Sequence, residues 1–255
     1  MTFQEKIRNC ENTFGPLVHL GDVIPTEIFA ALGYDYIWLD MEHTTLSCEQ
    51  VHHHMLAARN EGCAAIVRVP VHDLTMTKRV MEMGPDGIIF PMVTGYEDAK
   101  ELLSWTLYPP LGARGCGPKA AVRYGIDSEP DFYKNGHVKT CRFIQVELET
   151  AAKDIEKIVT IPHLDGVILG MHDLSGSIGR LGDVFCEENL KLAQHTVDVC
   201  RANNITVGTA TFAIDEETIT RYHNMGMNMI TAGSDYDFIL KLGRETLATM
   251  QKIMK

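Results

Sequence analysis

The chain lacks most of the short signatures that assign an enzyme directly. It has no Walker A phosphate loop, no GxGxxG turn after its first apolar run and no GxSxG around a serine. None of its apolar runs contains a lysine, so Schiff-base chemistry has no nucleophile inside them. No run reaches the roughly 18 apolar residues that span a bilayer, and no secretory leader is legible at the start. The seven cysteines form no CxxC pair. An odd, scattered set in an α/β chain predicts reduced thiols and a cytoplasmic protein. Positive charge is scarce: 23 Lys and Arg face 34 Asp and Glu, a net charge of −11. That balance argues against nucleic acid and against anionic membrane as partners.

What the chain does have is 255 residues without a compositional break, enough to bury a substantial core. Eight short apolar runs are spread along it: 17–20, 36–40, 64–69, 87–92, 143–148, 166–171, 206–211 and 227–233. Amphipathic segments fall between most of them. Ser47 with Gln50 makes a capping box before a helix that Gly62 ends, and Asp215 caps another that stops at Gly226. Thr150 is a candidate cap for AAKDIEKIV. Near-continuous apolar strands alternating with helices imply a parallel sheet covered by helices. Eight of them favour one closed (β/α)8 barrel over residues 1–255, with a doubly wound open sheet as the runner-up. A Pro- and Gly-rich stretch at about 108–139 predicts an extended loop, either functional or a contact surface, and a long amphipathic helix closes the chain at about 236–254.

In such a barrel the C-terminal strand ends form the active face. Asp40, Glu42 and His43 follow the second run, Arg68 ends the third, Glu147 the fifth, and Asp173 follows the sixth. Glu147 and Asp173 offer oxygen ligands only, which suits Mg²⁺, Mn²⁺ or Co²⁺ better than zinc; helix capping or pairing with lysine is the alternative. His43, in DMEH, is a candidate general base with Glu42 or Glu82 as its acidic partner, or else a hydrogen-bonded structural histidine. Arg68, inside an apolar strand, must pair with Asp40 or Glu42 or face an anion in a cavity. The turn Gly170, Met171, His172, Asp173 exposes backbone N–H groups that could hold a carboxylate. His52, His53 and His54 succeed one another on a helix, point in different directions and form no single site.

These segments resemble the HpcH/HpaI aldolase family, the metal-dependent pyruvate aldolases. The similarity rests on GYDYIWLDMEH, VRVP, GIIFPMV, YPPLGARGCG, QVE, DGVILGMHDLSGSIG and a late GSD, in family order over nearly the whole chain. The resemblance implies a (β/α)8 barrel that packs as a hexamer in which the last helix swaps between neighbours. It implies a divalent ion held by Glu147 and Asp173, a 2-oxo acid chelated to it, His43 in the base relay and Arg68 at the enolate oxygen. The family's acidic partner of the histidine falls at Glu82, where aspartate is more usual. Where relatives have Gly-Pro-Ala-Asp, this chain has Gly170, Met171, His172 and Asp173. The implied reaction is cleavage of a 4-hydroxy-2-oxo acid to pyruvate, or a related 2-oxo acid, and an aldehyde through a metal-stabilised enolate. A citrate-lyase-β-like or malyl-CoA-type lyase, and a non-catalytic barrel that binds 2-oxo acids, are the alternatives.

Overall fold

The computed structural model describes residues 1–254. Eight parallel strands close into a barrel in chain order: β1 (Thr13–Val18), β2 (Tyr36–Asp40), β3 (Ala64–Arg68), β4 (Gly87–Phe90), β5 (Cys141–Val146), β6 (Gly166–Leu169), β7 (Thr206–Thr211) and β8 (Met229–Ser234), which pairs back onto β1. Helices cross the outside between strands. A short first helix, Phe3–Arg8, lies under the barrel: Ile7 is fully buried with the interior side chains, and Thr206 Oγ1 donates to its carbonyl at 2.6 Å.

Period-two alternation sorts the apolar strand residues, the exposed Phe14 apart, to one of two cores. Ile37, Leu39, Ala65, Val67, Ile144 and Val146 face outward and pack beneath the helices. Leu17, Tyr36, Trp38, Ile66, Cys141, Phe143 and Ile168 face inward and fill the barrel. Phe143 has its space because β4 and β6 both start with glycine. A Cβ at Gly166 would stand 2.7 Å from the Phe143 ring, and one at Gly87 would stand 3.0 Å from it and 2.7 Å from Ile66. The same parity, continued toward the strand ends, puts Asp40, Arg68, Gln145 and Glu147 inside at the C-terminal mouth.

The capping box at Ser47, the N-cap at Asp215 and the stops at Gly62 and Gly226 hold as read from sequence. Three expectations need correction. The first strand is Thr13–Val18, not 17–20; Gly15 and Pro16 mask it, and its pairing with β8 shifts register between Gly15 and Leu17. Thr150 caps nothing: the helix begins at Glu149 and breaks at Asp154, whose carboxylate accepts from the Tyr96 N–H at 2.8 Å. The 108–139 stretch is partly ordered into short helices at Ala120–Gly125, Glu129–Asn135 and Gly136–Lys139. It joins the helix Tyr96–Ser104 to the start of β5, so it lies on the N-terminal face, away from the strand ends. Arg142 ties it there, donating to Thr106 Oγ1 and to the carbonyls of His137 and Thr140.

The last helix spans Asp235–Ile253, and from Ile239 onward its residues are exposed. No helix among the described residues is long and apolar enough to cross a membrane.

Because Phe143 fills the space that two glycines leave, Gly166→Ala should destabilise the protein by about 1–3 kcal/mol through overpacking. Denaturant unfolding of the two proteins measures it.

Candidate active site

The site grows from the pairing of β2 with β3. Asp40 and Arg68 are registered neighbours with side chains turned inward, so they meet as a two-pronged ion pair: Nε to Oδ1 at 3.0 Å and Nη2 to Oδ2 at 2.7 Å. Burial disfavours both charges, but each outweighs that penalty for the other. The Asp40 carboxyl is held below its ordinary range and the Arg68 guanidinium above its own. Asp40 Oδ1 also accepts from the backbone N–H groups of Glu42 at 3.0 Å and His43 at 3.4 Å, which curls the DMEH turn over the mouth.

Arg68 therefore satisfies both sequence readings, since it is ion-paired and it lines a cavity. Its Nη1 lies 3.4 Å from Gln145 Oε1 and 3.1 Å from Glu42 Oε2, the latter without a hydrogen-bonding angle. Glu42 is buried enough that its carboxyl rises to about 7, despite the nearby guanidinium. His43 is exposed on the rim, with Nε2 3.6 Å from Glu42 Oε2.

Glu147 faces Arg68 from β5. Its Oε2 accepts from the Met92 N–H at 2.7 Å and its Oε1 from Gln145 Nε2 at 3.0 Å. Met92 adopts a left-handed backbone, φ 54°, to aim that N–H, a conformation uncommon for a non-glycine residue. Gly170 lets the carboxylate approach β6 closely: a Cβ there would lie 2.4 Å from Glu147 Cγ. Burial, with Glu42 and Asp173 as like charges, raises the Glu147 carboxyl to about 7. Asp173 sits exposed in the first turn of the helix Met171–Ser177.

Glu42, Glu147 and Asp173 thus form a mutually repelling carboxylate group at one mouth. Among the described residues no three His, Cys, Asp or Glu side chains converge as a complete metal cage. Two carboxylates with the remaining positions open fit Mg²⁺-like ions, which keep water or substrate oxygens. The donor set therefore fits a divalent cation on Glu147 and Asp173.

Arg68, Glu147, Gly170, Met171, His172 and Asp173 line a cavity of about 210 Å³ together with Trp38, His43, Gln145 and Phe212. Glu82 is not brought to His43 within one chain. It sits on the last turn of the helix Leu74–Met83, which has returned to the N-terminal face, and its carboxylate lies 3.6 Å from Arg114. His54 is fully buried against Thr26 Oγ1 at 2.7 Å while His53 is exposed, so that run forms no site. Sequence reasoning missed Gln145 and the Met92 N–H. Gln145 was detectable, being two residues before Glu147 on the same inward face.

A (β/α)8 barrel with an acidic, arginine-backed pocket at its C-terminal mouth defines the class. The profile of the HpcH/HpaI aldolase/citrate lyase family matches residues 20–241, so the chain belongs to that family and is an aldolase-type lyase. It is 28% identical over 249 residues to the hydroxypyruvate/pyruvate aldolase of Roseovarius nubinhibens, covering 97% of this chain and 95% of that one. It is 31% identical over 210 residues to the 4-hydroxy-2-oxovalerate aldolase of Novosphingobium aromaticivorans, covering 82% and 79%. The crystal structure of an HpcH/HpaI aldolase/citrate lyase family protein from Burkholderia cenocepacia superposes with a TM-score of 0.90 at 24% identity, covering 97% of this chain and 98% of that one.

A cation entering this site must displace the proton that Glu147 retains up to about pH 7. Mn²⁺ affinity should fall as pH drops through that value, approaching about tenfold per unit for one displaced proton. The sign for folding is the same in origin. In the metal-free protein the unfolded carboxyl ionises first, near 4.5, so stability declines as pH rises from there to about 7. Calorimetric Mn²⁺ titration and thermal melts across this range check both.

Proposed function

We propose that this chain is a divalent-metal-dependent aldolase that cleaves a 4-hydroxy-2-oxo acid to pyruvate, or a close relative such as hydroxypyruvate, and an aldehyde. The observation that carries the reading is the pairing of Glu147 and Asp173 opposite a guanidinium that Asp40 holds in place. Two relatives named for pyruvate and 2-oxovalerate chemistry support the substrate class.

Glu147 and Asp173 would hold the ion, Mg²⁺, Mn²⁺ or Co²⁺. When bound it would supply a Lewis acid for the keto group and share the enolate's negative charge. The chain's own residues do the rest. Arg68, with both prongs taken by Asp40, keeps a second Nη2 hydrogen free to donate to the enolate oxygen. The Gly170–Asp173 turn lies where the substrate carboxylate would rest. His43, on the rim beside Glu42, would take the 4-hydroxyl proton as the carbon–carbon bond breaks, and C3 of the enolate would then take a proton to become the methyl group; in the reverse direction His43 would return a proton to the new alkoxide. His172 adds a polar wall that a Gly-Pro-Ala-Asp turn would lack. The seven free cysteines support residence in a reducing compartment, the cytoplasm.

The partner surface follows from the last helix. An apolar cavity of about 470 Å³, lined by Phe14, Tyr34, Ile219, Met227 and Ile230, opens on the outside of β1 and β8. The helix Asp235–Ile253 leaves Ile239, Leu242, Leu247, Met250 and Ile253 in solvent. Exchange of this helix between copies would bury both faces, and we infer a homohexamer built in that way. A chain ended after Gly243 should lose that assembly while the barrel stays folded; light scattering with circular dichroism reads both. A truncated chain of unchanged mass would remove the helix from the interface.

The function is tested without knowing the aldehyde, by deuterium exchange into the pyruvate methyl group in D₂O. EDTA should stop the exchange and Mg²⁺, Mn²⁺ or Co²⁺ should restore it, and Glu147→Ala should abolish it together with metal binding. Arg68→Ala should slow it on the order of 10²- to 10³-fold, the usual cost of losing one oxyanion donor. Exchange indifferent to EDTA, or absent altogether, would overturn the assignment.

A further inference from the structure

His19 follows β1 at the same mouth. It carries the inward parity of Leu17, and its side chain is 10% exposed. Its Nε2 stands 3.6 Å from Asp40 Oδ2, the oxygen that takes Arg68 Nη2. That is too long for a direct hydrogen bond and short for a charge–dipole contact in a low-dielectric site. The ring cannot drift far. It stacks on Tyr236 with centroids 5.1 Å apart and planes 30° apart, and Phe212 lies 6.3 Å away. Its backbone N–H donates to Asp235 Oδ2 at 3.0 Å. Nδ1 is buried without a hydrogen-bond partner.

A side chain chosen for packing alone would not leave a ring nitrogen unsatisfied, since an apolar ring fills the same space without that cost. With nothing to receive a hydrogen on Nδ1, the favoured neutral tautomer carries it on Nε2, pointed at Asp40. Burial disfavours the charged imidazole and Arg68 adds to that, outweighing Asp40, Asp235 and Asp237, so the ring's affinity for a second proton is lowered.

We propose that His19 is a positioning residue: its Nε2–H fixes the Asp40 carboxylate so that the Arg68 fork holds its angle toward the reacting oxygen. The role rests on the aldolase reading above, and it acts through Asp40 rather than on substrate. Asp40 has five neighbours to satisfy: two prongs of Arg68, two backbone N–H groups of the DMEH turn, and this ring. Only the ring approaches Oδ2 from the β1 side. Without it, Oδ2 keeps Arg68 Nη2 as its one remaining partner, and the fork tilts more readily toward the turn, where both backbone N–H groups hold Oδ1.

Two variants separate the nitrogen from the ring. His19→Phe keeps the stack on Tyr236 and removes the donor; His19→Gln returns an amide N–H near the place of Nε2. The pyruvate methyl-exchange assay is run on both, alone and combined with Arg68→Lys, which keeps a cation but abolishes the fork. His19→Phe should lower kcat about tenfold, within the range found for contacting residues, with KM for pyruvate and Mn²⁺ affinity nearly unchanged. His19→Gln should recover most of the loss. In the Arg68→Lys background His19→Phe should cost less than about twofold, because the effect has no fork left to act on.

A second readout does not depend on turnover. The Arg68 Nε–H resonance, identified by its loss in Arg68→Lys, should exchange with solvent about tenfold faster in His19→Phe and return to normal in His19→Gln. Equal losses in both backgrounds would make His19 an ordinary structural residue and overturn the proposal, as would an unchanged Nε–H exchange rate. If the wild-type protein exchanges no pyruvate protons but the Nε–H effect appears, the aldolase reading fails while the positioning of Arg68 by His19 stands.

Discussion

The two-pronged contact between Asp40 and Arg68 is the interaction on which the mouth of this barrel depends. Burying either charge alone would be prohibitive. Together they form a rigid fork, and the same carboxylate gathers the backbone of the next turn. Glu42 and His43 are placed by that turn, while Gln145 links the guanidinium to Glu147. One buried pair thus coordinates groups from β2, β3 and β5 and the DMEH turn.

Opposed to this paired charge is a cluster that is not internally neutral. Glu42 and Glu147 are both driven up to about 7, chiefly by burial and further by neighbouring carboxylates, Asp40 and Asp173 for Glu42 and Glu42 and Asp173 for Glu147. That repulsion is what the proposed divalent ion would relieve, and the backbone of Met92 and the space at Gly170 hold Glu147 where it is. The conformations that are costly for folding, a left-handed methionine and a bare glycine, lie beside the group that most needs exact placement.

Much of this was legible in the chain because a parallel barrel makes sequence parity and spatial layer the same thing. Tyr36, Trp38 and Asp40, or Phe143, Gln145 and Glu147, can be assigned inward by counting in twos, and seven of the eight strands fall where their apolar runs are. The first strand is displaced because Gly15 and Pro16 do not read as strand residues and only their neighbours β2 and β8 make them so. Glu82 does not meet His43 within one chain for a related reason. Adjacency to the fourth strand in sequence says nothing about which end of that strand a helix residue reaches, and the helix Leu74–Met83 delivers it to the far end, onto Arg114. The 108–139 segment lies on that same far face, anchored by Arg142. His19 escaped notice because a single histidine within an apolar run carries no signal until its neighbour Asp40 is known to be shared.

The phenylalanine set between two glycines has a kinetic meaning as well as a packing one. Phe143, with Ile66 and Ile168, closes the barrel directly beneath the carboxylates, so the pocket is a blind well. A molecule cut in two inside a blind well must leave in sequence. With the 2-oxo acid on Glu147, as proposed, that fragment would be the inner one, and the fragment toward His43 and Phe212 would block its way. On that reading the aldehyde would depart first and the 2-oxo acid last, and the reverse condensation would load them in the opposite order.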